Sequence, residues 1–327
     1  MTCAATAPED PLWSFCPSVA AAYLYAILFG LITIAHIAQA IYHRKTYCWV
    51  ISMSALWQTL AYAFRIVSIK SPTSVAAYST WFVLILVAPL WTNAFVYMVF
   101  GRMVYNYTST ARLFKVKAWR FGLYFVLLDI LAFIIQLIGA ASASGDDVPE
   151  SQVLRGLHIY QGGVGLQQLF IFFFCYLAFR FHQNLNKQPH SARIRQAKIL
   201  LYVLYFVLLL VTIRIIFRLA EYSKGLKSSI PNHEAYQYVL DSTMMMIALL
   251  AFNVVHPGRI MAGKEAEFPS RKERKVFFKD GGKGVTGSGN GSELLPTTNA
   301  YKPVDGEVQA SAGTTKGEPY KTAYYGE

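Results

Sequence analysis

Six ionisable residues interrupt the long apolar runs of this 327-residue chain: Asp129, Glu221 and Asp241, with Arg65, Arg214 and Arg218. A charged side chain in the middle of a bilayer costs roughly 2.5–3.5 kcal/mol or more, so each needs a partner or a task. The chemistry open to such groups is ion pairing, proton transfer or capture of a charged head group. Arg214, Arg218 and Glu221 are four and three residues apart and share one helix face. Asp241 and Arg214 lie at similar depth, roughly 10 Å below the outer edge at about 1.5 Å per residue. Their two runs are joined by a short connection and are expected to be neighbours. This predicts an Arg214–Asp241 pair. Arg65 shares a face with Gln58 and Tyr62 and is available to Glu221. The result is a polar cluster in the outer half, for which a packing staple and a substrate or ion path are both open readings.

Asp129 differs from the other acids. It sits midway along its run, with Gln136 one heptad later on the same face. No basic residue lies at its depth, and Gln167 or Gln168 is the expected partner. A carboxyl desolvated without a cation tends to hold its proton. Asp129 therefore reads as a protonated acid or a proton-coupling site.

The elements that position these residues follow from hydropathy. Hydrophobic residues make up 54% of the chain and charged residues only 15%. About 20 apolar residues cross the hydrocarbon core, and seven runs meet that length: 19–42, 47–69, 75–104, 119–143, 157–181, 199–220 and 235–256. They are continuous rather than alternating, which excludes a barrel and predicts helices. The fold class is all-α: a polytopic membrane protein, a seven-transmembrane-helix bundle with a disordered C-terminal tail. Residues 1–18 form an extracytoplasmic segment, 19–260 the membrane domain and 261–327 the tail. Pro89 in the third run predicts a kink or tilt.

Charge sets the orientation. The net charge is +12, and the basic residues flank apolar runs, which points to anionic lipid at the cytosolic face and not to nucleic acid. Arg44 and Lys45, then Arg102 to Arg120, then Arg180 to Lys198, then Arg259 to Lys275 fall on alternate connections. Those connections belong in the cytosol, with the N-terminus outside. The tail is rich in Gly, Ser, Thr, Lys and Glu and is expected to be disordered. Its Arg271-Lys272-Glu273-Arg274-Lys275 cluster, with Phe277 and Phe278, suits an anionic leaflet or a solvated trafficking signal. Sequons at Asn106 and Asn290 fall on the cytosolic side and are expected to stay unmodified. An N-terminal bridge between Cys3 and Cys16 competes with free thiols. Gly162, Gly163 and Gly165 suggest close helix approach.

Several seven-span classes fail on particular residues. The last run holds no lysine for a retinal Schiff base. The third run ends in Gly101-Arg102-Met103, and Asn253-Val254-Val255-His256-Pro257 does not match the receptor signal of span seven. His36, His158, His233 and His256 are scattered, which argues against a zinc hydrolase. No phosphate-binding loop is present. No enzyme activity, catalytic group, cofactor or metal is expected.

One family does fit. Ala88-Pro89, Ala94, Tyr97, Gly101 and Arg102 are followed by Asp129, Gln136 and Gly139, then by Gly162, Gly163 and Gln168. Arg214-x3-Arg218-x2-Glu221-Tyr222, His233-Glu234, Asp241 and Asn253-x2-His256-Pro257-Gly258 complete the series. From about Tyr23 to Gly258 the chain resembles the fungal lipid-translocating exporters, seven-span proteins associated with aminocholesterol resistance. It departs from them at Gln58-x2-Ala61-Tyr62-x2-Arg65, where the family pattern opens with Glu. The resemblance implies a plasma-membrane or endomembrane protein that moves sphingoid bases or toxic amphiphiles and confers stress or drug resistance. A lipid sensor, and more remotely an intramembrane lipid enzyme, are the alternatives. The path candidates are Arg65, Asp129, Gln136, Gln168, Arg214, Arg218, Glu221, Glu234 and Asp241.

Overall fold

The computed structural model describes residues 12–13, 15–108, 111–114, 116–144, 149–221, 233–263 and 266–268. Cys3, Asn290 and the basic cluster at 271–275 with its two phenylalanines lie outside the described residues, as do most of the expected tail and the acidic residues 146–147.

Among the described residues, seven helices are long and apolar enough to cross a membrane. They are α1 (Val19–His43), α2 (Trp49–Lys70), α3 (Val75–Tyr107), α4 (Ala118–Ser142), α5 (Glu150–Asn186), α6 (Ala192–Glu221) and a seventh span over Glu234–Ile260. A backbone in hydrocarbon must satisfy its own polar groups, and helices do this within each segment. Ser18 caps α1 by accepting a hydrogen bond from the Ala21 N–H at 3.2 Å. Arg44 closes its far end in the left-handed region, at φ 51. A short antiparallel ribbon, β1 (Arg112–Leu113) with β2 (Val116–Lys117), joins α3 to α4.

Each long helix packs against the next, and the last returns to α1, while α3 also reaches α5 and α6. Below, the proximal end of the bundle is the one where α1 starts, and the distal end is where it finishes. The lipid-facing sides of α1, α4 and α5 expose Leu31, Ile34, Leu127, Ile134, Leu169 and Phe172, as a hydrocarbon solvent permits.

Three features differ from the sequence expectation. The run at 157–181 is only the apolar centre of the longer α5, which extends from Glu150 to Asn186 because polar residues continue the helix at both ends. The seventh span is not one regular helix. It comprises α7 (Glu234–Gln237), a π-helical turn (Tyr238–Ser242), α8 (Thr243–Val254) and α9 (Pro257–Ile260). The expected tail also begins with packed residues. Lys45 Nζ donates to the Gly263 carbonyl at 2.6 Å, and Asn106 Nδ2 donates to that of Ala266 at 3.2 Å. The Asn106 side chain is thus buried and engaged. Cys16 is disulfide-bonded, and Cys48 and Cys175 are free.

Glycine usage is also sharper than expected. Gly162 and Gly165 face open space, so they do not bring helices together. Gly139 and Gly163 do. A Cβ at Gly139 would collide with the backbone N of Tyr160 and lie 2.7 Å from the Gly156 oxygen; at Gly163 it would lie 2.9 Å from the Ala132 oxygen. Gly139→Ala is therefore expected to cost about 1–3 kcal/mol through overpacking. Gly162→Ala should stay within about 0.5 kcal/mol of wild type. Thermal unfolding of the two variants in detergent checks the contrast.

Candidate functional site

Two polar centres lie inside the bundle, and different helices build them. The proximal centre is assembled around Asp241. The π-helical turn widens the backbone there and turns Tyr238, Asp241 and Ser242 into the interior, where all three are buried. Turns of this kind often mark functional positions in helices. Local polar groups hold it: Thr243 Oγ1 donates to the Tyr238 carbonyl at 2.8 Å, and the Tyr25 hydroxyl lies 2.6 Å from Thr243 Oγ1. The Tyr62 hydroxyl bonds to Ser242 from α2.

Asp241 is fully buried and receives two guanidiniums from α6. Arg214 Nε donates to its Oδ1 at 2.5 Å, and Arg218 Nη2 donates to its Oδ2. The expected Arg214–Asp241 pair is present. Arg218 also donates to Glu221 Oε2 at 2.9 Å, one turn along the same face. Arg214 Nη2 reaches the Ile85 carbonyl at 3.2 Å. That carbonyl is four residues before Pro89, which has no N–H to offer it. The cation thus satisfies the acceptor that proline leaves unbonded, and α3 runs unbroken through Pro89.

Arg65 is placed differently from the expectation. It does not meet Glu221. Its Nη2 donates to Glu234 Oε1 at 2.8 Å and its Nη1 to Gln237 Oε1 at 3.0 Å. Its guanidinium lies 4.8 Å from the Trp13 ring and 4.7 Å from Trp81, and aromatic faces attract cations. Glu234 Oε2 also accepts the Ser18 N–H at 2.7 Å. The segment before α1 and the start of span seven therefore close over Arg65. Three arginines face three acids in this centre: Asp241, Glu221 and Glu234.

The second centre is Asp129, midway along α4 and 2% exposed. Its partners come from α3. Asn93 Nδ2 and the Tyr97 hydroxyl each donate to its Oδ2 at 3.1 Å. Neither Gln167 nor Gln168 binds it. Gln167 Oε1 accepts from Gln136 Nε2 at 3.1 Å, and Gln168 Nε2 donates to Thr212 Oγ1 at 3.3 Å. Asp129 Oδ1 has no hydrogen-bond partner among the described residues. No salt bridge reaches it among them either. Asn93 and Tyr97, four apart on α3, were the available signal for this partnership, since they are polar residues on one face of an apolar helix.

Polar side chains lead from Asp129 towards the proximal centre. Gln136 and Gln167 bridge α4 and α5, and Gln161 Nε2 donates to the Leu219 carbonyl of α6 at 3.0 Å, two residues before Glu221. Gln58 is fully buried, and neither polar atom of its amide has a partner among the described residues. This is the position where the sequence departs from the exporter pattern. At the distal end, a groove of about 310 Å³ opens between α3 and α4, lined by Met98, Arg102, Trp119, Val126 and Phe268 among others. Among the described residues, no group of three or more His, Cys, Asp or Glu could hold a metal.

A seven-helix membrane bundle with an internally neutralised charge cluster and a separate interior acid is the class these features define. The chain belongs to the RTA1-like family: the family described as RTA1 like protein matches residues 51–264. It is 41% identical over 270 residues to the probable lipid transporter atnI of Emericella nidulans, covering 79% of this chain and 70% of that one. A lipid-translocating exporter-like protein RTA1 of Leptosphaeria maculans is 26% identical, over 87% of this chain and 56% of its own length. The sphingoid long-chain base transporter RSB1 of Saccharomyces cerevisiae is 20% identical, over 74% of this chain and 72% of its own. No solved structure matches the chain with statistical significance.

Proposed function

We propose that this protein translocates lipids or amphiphilic toxic compounds, with sphingoid-base-like molecules as the substrate class, and so confers resistance to them. The observation that carries this reading is Asp129. It is an interior acid held by neutral donors alone, with one carboxylate oxygen unbonded. A cationic head group would supply the missing counter-charge while its tail stays in an apolar medium. Glu221, Glu234 and Asp241 offer carboxylates on the way in, each held by Arg65, Arg214 or Arg218. Gln136 and Gln168 give the path between the two centres uncharged hydrogen-bonding groups. The names of the relatives support the substrate class.

The proximal end faces outward in this reading, with the N-terminus outside and the C-terminus cytosolic, in the plasma membrane or an endomembrane. The basic connections support it, since Arg44, Lys45, Arg112, Lys117, Lys187 and Arg193 gather at the distal end and positive charge stays in the cytosol. Arg102 beside the distal groove suits an anionic lipid there. The protein works as a transporter, without a cofactor or catalytic chemistry.

Reconstitution into vesicles with a labelled sphingoid base tests this. Movement of the label between leaflets that depends on Asp129 and Glu221 is expected. Binding without movement would make the protein a sensor, and a chemically altered label would make it a lipid enzyme; either result overturns the proposal.

A further inference from the structure

The charge cluster and Asp129 leave a third polar group unused, at the distal end between α1 and the end of span seven. His36 of α1 is fully buried, and among the described residues neither ring nitrogen makes a well-aligned hydrogen bond, although the Leu249 backbone lies within reach of the ring. His256, just after α8, is 3% exposed. Its Nδ1 accepts from the Gly258 N–H at 3.1 Å. A neutral imidazole that accepts at Nδ1 carries its proton on Nε2. That Nε2 is buried and has no partner among the described residues, so an N–H donor is left there without an acceptor from them.

The neighbours continue the pattern towards the surface. The His256 ring stacks on His43 with centroids 4.4 Å apart and planes 15° apart. His43 is half-buried at the end of α1. His36 and His43 are one heptad apart and lie on one face of the helix, with Gln39 between them. Gln39 Nε2 donates to the Asn253 carbonyl at 2.9 Å, yet its own Oε1 and both polar atoms of the Asn253 side chain are buried without partners among the described residues. The charged groups around the histidines are cationic: Arg259 beside His43 and His256, and Lys45 beside His43. Lys45 is itself paired with Glu267 at 3.5 Å. Leu249 of α8 presents its backbone to His36.

Among the described residues, six buried polar atoms without a well-aligned hydrogen bond thus gather between α1 and the end of span seven: both nitrogens of His36, Gln39 Oε1, both of Asn253 and His256 Nε2. A packing staple would bond these groups to one another. Left dry, each costs about 1–3 kcal/mol. Ordered water is the usual way such clusters are satisfied in folded proteins.

We infer that this cluster is a binding site for ordered water, a hydrated slot that opens at His43 and carries protons from the distal bath to His36. The distance from mouth to end is about 10 Å, seven residues at about 1.5 Å rise. Ordered water carries the proton along such a slot, and the His36 imidazole, which has a ring nitrogen able to accept, takes it up at the inner end and returns it by the same route. The inference does not depend on what the bundle transports.

The test uses the full chain, labelled on histidine and reconstituted in phosphatidylcholine vesicles, by solid-state NMR with magnetisation transferred from water. Rapid transfer to the His36 and His256 rings is expected, together with exchange of their nitrogen-bound protons with the bath. Transfer as slow as that to the neighbouring buried Phe252 would overturn the proposal. Asn253→Leu supplies a second readout. In a hydrated slot it blocks the channel, so transfer to His36 is lost with no gain in melting temperature. In a dry slot the same change removes an unsatisfied amide, raises the melting temperature and leaves the His36 signal unchanged, which would also overturn the inference.

Discussion

Asp241→Ala is expected to lower the stability of the bundle by about 3–5 kcal/mol, the cost of leaving a buried ion unpaired. Two guanidiniums depend on this one carboxylate, Arg214 through Oδ1 and Arg218 through Oδ2. Among the described residues, Arg218 retains Glu221, and Arg214 retains the Ile85 carbonyl. Water cannot readily replace the lost charge at a site that is fully buried. Asp241→Asn should fall between wild type and alanine, because its amide oxygen still accepts one hydrogen bond but carries no charge. Thermal and denaturant unfolding in detergent, followed by tryptophan fluorescence, gives the order. A loss below about 1 kcal/mol for alanine would place Asp241 outside the group of residues that hold the helices together. The pair itself need not be a net source of stability. Replacing all its members by apolar residues is often neutral or better, so a triple apolar variant should recover much of the alanine loss.

The second large effect is on transport. Asp129→Asn is expected to reduce vesicle translocation of a labelled sphingoid base by about a hundredfold or more, the rate change that about 2.7 kcal/mol produces. Stability should change by less than about 1 kcal/mol. The separation follows from the geometry. Asparagine keeps an oxygen for the two donors at 3.1 Å, Asn93 Nδ2 and the Tyr97 hydroxyl. It loses the capacity to carry a negative charge or a titratable proton. A residue that only packs would tolerate the exchange. Full transport activity in the asparagine variant would therefore remove Asp129 from the mechanism, while parallel losses of activity and stability would assign it to packing.

How much of this was legible in advance depended on range. The seven spans are visible because a hydrocarbon solvent demands a long apolar run from each segment, whatever its neighbours do. The Arg214–Asp241 pair is visible because depth along two adjacent helices can be counted in residues. Rotation of one helix against another cannot be counted that way. Arg65 was assigned to Glu221 on depth alone, but α2 turns it towards Glu234 and Gln237. Asp129 was assigned to the next helix in sequence, but its acceptor oxygen faces back to α3. The π-helical turn at Tyr238–Ser242 was equally hidden. A single inserted residue in a hydrogen-bonding pattern leaves hydropathy unchanged and still redirects every side chain beyond it.

By itself the sequence determined that this is a seven-span helical membrane protein, that three arginines and several acids share its interior, and that Asp129 stands apart from the bases. Those properties follow from composition, length and spacing. Only the tertiary structure decided which charges meet, that Glu234 rather than Glu221 takes Arg65, and that His36 and His256 gather with Gln39 and Asn253 at the opposite end. These outcomes depend on the rotation of each helix and on one irregular turn. Both are set by side-chain packing across helix interfaces, which no single segment encodes.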